Sequence, residues 1–205
     1  MEKIFITATN TDIGKTYTTL KLIEHFSQQG KKVGAIKPIE TGVKDIPLDG
    51  EKLLLKQQKH NKDLKDITIG DVVPITFALP AAPYIASDQT SIDLQPIKEA
   101  IQKFEPLCDI LLIEGAGGLF VPINKEYYMI DLIKDLAVDT TLLVTHCDLG
   151  CINDTLLSFN TLKQYNLKTK VIFNCKNGKE SFEHISKPYF NAIGFKKDLF
   201  DPTFF

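Results

Sequence analysis

Five short apolar runs punctuate the chain: KIFITAT (3–9), KVGAIKPI (32–39), CDILLIEG (108–115), TTLLVTHC (140–147) and TKVIFN (169–174). They lack the strict polar alternation of a half-solvated strand, which is the pattern of strands buried on both faces. Between them the apolar spacing changes to a helical period. It predicts helices over 15–29, with Leu20, Ile23 and Phe26 on one face; over 92–104; over 127–137, with Met129, Leu132, Ile133 and Leu136 on one face; and over 152–165. Strands alternating with helices predict an α/β architecture of three layers, a mainly parallel central sheet flanked by helices. Ligands of such sheets gather at the carboxyl ends of the strands. Segment 43–91 breaks the pattern with the polar stretch KHNKDLKD (59–66) and then GDVVPITFALPAAPYIAS (70–87), whose Pro74, Pro80 and Pro83 interrupt any long helix. No repeat, low-complexity tract or linker divides the chain, so residues 1–205 are expected to form one domain.

Composition narrows the function classes. The chain has 205 residues, 43% of them hydrophobic, and a formal net charge of −2, which suits a folded domain and gives no basic footprint for nucleic acid. No apolar run approaches the roughly 20 residues of a membrane span. The amino terminus goes directly into a strand-like run without the basic start of a signal peptide, so a cytoplasmic location is expected. Cys108, Cys147, Cys151 and Cys175 form no CxxC pair and three of them sit in or beside apolar runs. They read as buried thiols.

The chemistry is concentrated at the ends of the apolar runs. TATNTDIGKTY (7–17) follows the first strand and opens an amphipathic helix, the setting of a phosphate-binding loop. Loop N–H groups and the helix amino terminus would converge on phosphate oxygens, with Lys15 reaching the terminal phosphates and the Thr16 hydroxyl available to Mg²⁺. Asp12, Ile13, Gly14, Lys15, Thr16 and Tyr17 are therefore the nucleotide-binding candidates, on a P-loop NTPase-like fold. Ala8 stands where such loops usually carry a first glycine. Five residues separate it from Gly14, one more than the common spacing, so the loop takes another path and alanine is tolerable if its φ is negative. ILLIEGAGG (110–118) ends a buried strand on Glu114, placed to hold Mg²⁺, and its glycines, Gly117 and Gly118 among them, allow close backbone approach to a ligand. IKPIETG (36–42) ends another on Lys37, a charge that needs an anionic partner there.

Taken together, ATNTDIGKT, KPIETG, EGAGG and LGCIN (149–153), in this order and spacing, closely resemble the dethiobiotin synthetases. The resemblance runs from the first strand to about residue 175. It implies an enzyme that uses ATP and CO₂ to close a ureido ring on 7,8-diaminopelargonic acid, through a carbamate and a carbamoyl-phosphate-type intermediate. It implies catalytic roles for Lys15, Lys37 and Thr11, and Mg²⁺ ligation by Thr16, Asp49 and Glu114. Gly117 and Asn174 then belong with the nucleotide, Asn174 against its base. Thr41, Gly118 and Gly150, Cys151, Ile152 and Asn153 belong with the substrate, the last four binding its carboxylate across a homodimer interface. The resemblance fades after Asn174, where NCKNGK lacks the aspartate that relatives carry next and IGFKKDLF lacks a proline near Gly194. With no acid to fix the Asn174 amide, weak discrimination among nucleoside triphosphates is expected.

Two other readings remain at this level. A regulatory ATPase of the partitioning type would act as a binding switch, but its signature lysine would fall on Asn10, and this chain closes on DPTFF where a basic amphipathic tail is common. The synthetase part of a cobyrinate-type amidotransferase would normally carry a glutaminase domain, for which 205 residues leave no room.

Overall fold

A computed structural model of the chain describes residues 1–176 and 179–200; Asn177 and the DPTFF end lie outside the described residues. The chain runs through β1 (Glu2–Ala8), α1 (Lys15–Gln28), β2 (Val33–Ile36), β3 (Ile39–Thr41), α2 (Leu48–His60), α3 (Ile69–Val72), β4 (Ile75–Phe77), α4 (Pro83–Ala86) and α5 (Gln95–Phe104). It continues through β5 (Ile110–Glu114), β6 (Pro122–Asn124), β7 (Tyr127–Tyr128), α6 (Met129–Asp135), β8 (Thr140–Thr145), α7 (Cys151–Gln164), β9 (Thr169–Phe173), α8 (Lys179–Ser181) and α9 (Lys187–Ala192). All five apolar runs pair in one parallel sheet of order β2-β5-β1-β8-β9. β1 is central, and Phe5, Ile6 and Ala8 are fully buried on it. The loops after β1, β2, β5, β8 and β9 therefore leave from one edge of the sheet, where parallel sheets bind ligands.

The second run ends earlier than its apolar pattern suggests. β2 stops at Ile36, Lys37 N–H turns to the Val72 carbonyl, and Ile39–Thr41 pair instead with β4 in a separate two-stranded parallel sheet. Pro38 lies at the break and has no N–H to continue the ladder.

Helix α2, within the segment that shows no pattern in sequence, explains why it shows none. Its buried positions are Gly50, Leu53 and Gln57. Only one is apolar, so helical periodicity does not register as hydrophobicity. Gln57 is fully buried because it completes the edge strand: its Oε1 accepts from Ala35 N–H at 2.7 Å and its Nε2 donates to Ala35 C=O at 3.0 Å. The side chain thus covers the edge of β2 as another strand would. Gln57→Leu is expected to lower unfolding stability by about 2–3 kcal/mol, because it orphans a buried donor and a buried acceptor. Urea denaturation measures this, and a loss below about 0.5 kcal/mol would mean that Ala35 finds other partners.

Two sequence expectations need correction. The buried stripe of α1 is Lys15, Thr18, Thr19, Leu22 and Ile23, with Leu20 and Phe26 only half-buried. The helix turns a polar first turn inward to the end of β5 and reserves apolar contact for its later turns. The cysteines also differ from four buried thiols: Cys108 and Cys151 are, but Cys147 and Cys175 are joined as a disulfide with Cα atoms 5.0 Å apart. Each lies two residues beyond the register pair Thr145 and Phe173 of β8 and β9, so strand pairing brings together residues 28 apart in sequence.

Candidate active site

The loop after β1 answers the question of the missing glycine. Ala8 is the last residue of β1 and does not have positive φ, so it needs no glycine. The left-handed positions fall later, on Asp12 (φ 59°) and Gly14 (φ 97°). Aspartate tolerates that region, and at 14 glycine has a second use beside its φ: a Cβ there would stand 2.1 Å from Asn174 Nδ2 and displace that amide. Gly14 occupies the cap position of α1 and no side chain caps the helix. Its first N–H groups are left for an anion.

Around this terminus the structure gathers Lys15, Thr16, Lys37, Asp49 and Glu114. Glu114 is fully buried at the end of β5. Its Oε1 accepts from Thr16 Oγ1 at 2.7 Å and from Lys37 Nζ at 3.1 Å. Lys37 Nζ also reaches Asp49 Oδ2 at 2.5 Å, so one ammonium bridges two carboxylates drawn from α2 and β5. Lys15, 8% exposed, rests its Nζ on the Asn10 carbonyl at 3.2 Å. Burial is the main influence on Lys15 and pushes its pKa down to about 8; Glu114 opposes the shift and Lys37 adds to it. For Lys37 burial also acts against the charge, but Glu114 and Asp49 outweigh it and hold the ammonium above the ordinary lysine value. Burial likewise opposes ionisation of Asp49, and Lys37 overcomes it, keeping the carboxyl below its ordinary range.

The glycine loop after β5 closes against the phosphate loop. A Cβ on Gly118 would meet the Ala8 and Thr9 carbonyl oxygens at 3.4 Å, and one on Gly117 (φ 61°) would stand 3.6 Å from Thr11 Oγ1. Thr11 and Gly117 therefore face one another. Tyr17 lies in the first turn of α1, half-exposed, with Lys21 Nζ over its ring. Asn174 donates from Nδ2 to the Ile13 carbonyl at 2.8 Å, while its N–H bonds Thr145 C=O. The amide is thus held by the phosphate loop itself, which corrects the expectation that it lacks an anchor without a neighbouring acid.

Two groups of predicted residues stand apart from the charged cluster. Thr41 ends β3 half-buried, next in the chain to Glu40, and Glu40 rather than Thr41 bonds the Asp49 N–H. Gly150, Cys151, Ile152 and Asn153 open α7, with Gly150 at φ 100° and Asn153 bonded to Asp154. Gly150, Ile152 and Asn153 border an open groove of about 540 Å³ that Leu157 and Ile185 extend, while Cys151 is fully buried. Leu149 beside it is 96% exposed.

The sequence reading missed Thr19 and Glu40. Thr19 Oγ1 lies 2.8 Å from Glu114 Oε2 and 2.9 Å from the Lys15 carbonyl, with one proton to give to either. Its only sequence signal is its spacing, one helical turn after Lys15. Glu40 lies inside the KPIETG motif but was not singled out there.

Comparison with known proteins follows the same lines. A family model described as an AAA domain matches residues 2–190. The chain is 45% identical over 193 residues to "ATP-dependent dethiobiotin synthetase BioD" of Sulfurovum sp. (strain NBC37-1), covering 94% of this chain and 91% of that protein. It is 38% identical over 192 residues to the protein of the same name from Wolinella succinogenes, covering 92% and 88%. Among solved structures, the MinD cell division protein of Aquifex aeolicus superposes with a TM-score of 0.53 at 18% identity, over 95% of this chain and 79% of that one. A plasmid partition protein from Borrelia burgdorferi does so with a TM-score of 0.55 at 13% identity, over 97% and 87%. At those identities the structural likeness is one of fold alone.

Proposed function

The chain belongs to the ATP-dependent dethiobiotin synthetases, and we propose that Lys15, Lys37 and the loop N–H groups carry its phosphoryl transfer. The observation that supports this most is the Lys37 ammonium held between Asp49 and Glu114 beside Lys15 and Thr16. The reaction begins when an amine of 7,8-diaminopelargonic acid takes up CO₂ as a carbamate. A carbamate oxygen then attacks the γ-phosphorus of ATP and ADP departs. The second amine attacks the carbonyl carbon of the mixed anhydride, expels phosphate and closes the ring. Charge spreads over the transferring phosphoryl oxygens, so positioned cations and N–H donors are most of what the protein can add. Thr11 and Gly117, which face one another, border the reacting phosphate in this reading. Asn174 faces the base with its amide already fixed.

Mg²⁺ fits the donors at hand: the Thr16 hydroxyl and the carboxylates of Asp49 and Glu114 are hard oxygen ligands. No group of three His, Cys, Asp or Glu side chains suited to a metal occurs among the described residues. A cation relying on two carboxylates plus substrate phosphates is the usual arrangement for Mg²⁺. Bound there it would neutralise phosphate charge. The protein's share is to hold the three oxygens, with Lys37 balancing their charge.

The groove beside Gly150–Asn153 and the exposed Leu149, Leu157 and Ile185 support a homodimer in which α7 of one subunit serves its partner's substrate carboxylate. N–H groups at a helix amino terminus suit a carboxylate. Mixing Lys15→Ala with Asn153→Asp, the latter setting a negative charge against the carboxylate, is expected to restore up to about a quarter of the activity, since hybrids form half the dimers and keep one intact site each. No recovery in mixtures shown to exchange subunits would rule out the shared site.

The alternative, a nucleotide-dependent switch of the partitioning type, lacks its signature lysine: Asn10 stands there, its carbonyl receiving Lys15. The decisive experiment supplies diaminopelargonate, bicarbonate, Mg²⁺ and ATP and looks for dethiobiotin by mass. ATP hydrolysis without that product would defeat the proposal.

A further inference from the structure

Helix α2 begins without a cap of its own. Pro47 occupies the cap position and offers no side-chain acceptor, so the N–H groups of Asp49 and Gly50 need one from elsewhere. Glu40 supplies both from another element: its Oε1 accepts from Asp49 N–H at 3.0 Å and its Oε2 from Gly50 N–H at 2.9 Å. Glu40 is itself only 7% exposed. A carboxylate with one oxygen on each of two successive N–H groups fixes the helix start in position and orientation, and it lies at the positive end of the helix dipole.

The fit leaves no slack. A Cβ on Gly50 would stand 2.1 Å from Val73 Cγ2 and 3.5 Å from Glu40 Oε2, so the first turn is wedged between Val73 and the Glu40 carboxylate. The residue so fixed is Asp49, whose carboxylate accepts from Lys37 Nζ on Oδ2 and from Lys52 Nζ on Oδ1. Lys37 and Glu40 come from the same short segment. The result is a closed circuit: Lys37 Nζ to the Asp49 carboxylate, Asp49 N–H to the Glu40 carboxylate, and three residues of chain from Glu40 back to Lys37.

We infer that Glu40 is a positioning residue for the cation site: it anchors the start of α2 so that the Asp49 carboxylate stands opposite Glu114. Both Glu40 oxygens are taken up by the two α2 N–H groups, so its effect passes through Asp49. The inference rests on the reading of Asp49 as a cation ligand. Partners that orient a metal ligand typically change cation affinity by about 10- to 100-fold when removed.

The test measures Mn²⁺ binding by electron paramagnetic resonance in the presence of a non-hydrolysable ATP analogue, for the wild type, Glu40→Gln, Asp49→Asn and the double variant. Glu40→Gln keeps the size of the side chain but sets an NH₂ against a backbone N–H. Weakening of Mn²⁺ by about tenfold in each single variant is expected, with no further loss in the double variant. Urea unfolding recorded in parallel registers any general loss of stability, which would not follow this non-additive pattern. Wild-type Mn²⁺ affinity in Glu40→Gln, with Asp49→Asn impaired, overturns the role of Glu40 alone. Unchanged affinity in Asp49→Asn overturns the ligand reading and the inference with it, and losses that multiply in the double variant show that Glu40 does not act through Asp49. If Glu40→Gln folds too poorly to titrate, Glu40→Asp, which retracts the carboxylate by one methylene, is read by the same criteria.

Discussion

Lys37→Ala is expected to lower kcat by about 10²–10³, the usual cost of removing one preorganised donor from a developing charge. Two effects contribute. The transferring phosphoryl group loses a cation that two carboxylates hold fully charged, since Glu114 and Asp49 more than offset its burial. Those carboxylates also lose the charge that lets them stand together, one of them fully buried. A buried carboxylate left without its partner is costly, so the variant is also expected to be less stable without nucleotide. Lys37→Arg is not expected to rescue the rate, because a planar guanidinium does not fit a site built around a compact ammonium. Single-turnover phosphate release at saturating substrates separates the chemical step from binding, with the folded fraction measured alongside. A rate within tenfold of wild type would remove Lys37 from the mechanism.

Lys15→Ala is expected to lose about 10²–10³ in kcat/KM for ATP for the same electrostatic reason. Lys15 adds a pH signature. In the free protein burial brings its pKa to about 8, so the phosphate-binding cation is lost as pH rises through that value, well before an ordinary lysine would deprotonate. The sign is fixed: the protonated form binds phosphate, so kcat/KM for ATP should fall above pH ~8, and free-enzyme ionisations govern that parameter. Bound phosphate raises the pKa again, so kcat should stay flat over the same range. The wild-type fall should be absent from the residual activity of Lys15→Ala. An unchanged alkaline limb in that variant would assign the titration to another group.

The parts legible in sequence share a physical basis. Strands buried in a sheet need apolar-rich runs, and all five runs form strands, with β9 at the edge keeping Thr169, Lys170 and Phe173 only half-buried. A phosphate loop must pass from a strand through a few residues into a helix that begins on Gly-Lys-Thr, and residues 8–16 do so. Lys37 and Glu114 announce themselves because each ends an apolar run with a charge. These signals are local, each carried within about ten residues.

What the tertiary structure decided lies where the partner is distant or the buried residue is polar. Helix α2 leaves no hydrophobic period because its inward face is Gly50, Leu53 and Gln57, chosen for close approach and hydrogen bonding and not for hydrophobicity. Thr19 meets Glu114 across 95 positions and Asn174 meets Ile13 across 161, separations over which sequence spacing says nothing about contact. Cys147 and Cys175 are paired by the register of β8 and β9. Glu40 reads as an ordinary acid inside a motif until the fold sets Pro47, which cannot cap a helix, where a cap is required. Hydrophobic burial leaves a periodic trace in the chain because every residue of an element takes part in it. A hydrogen bond between two buried polar groups involves one residue from each of two elements, and only the assembled fold determines which two meet.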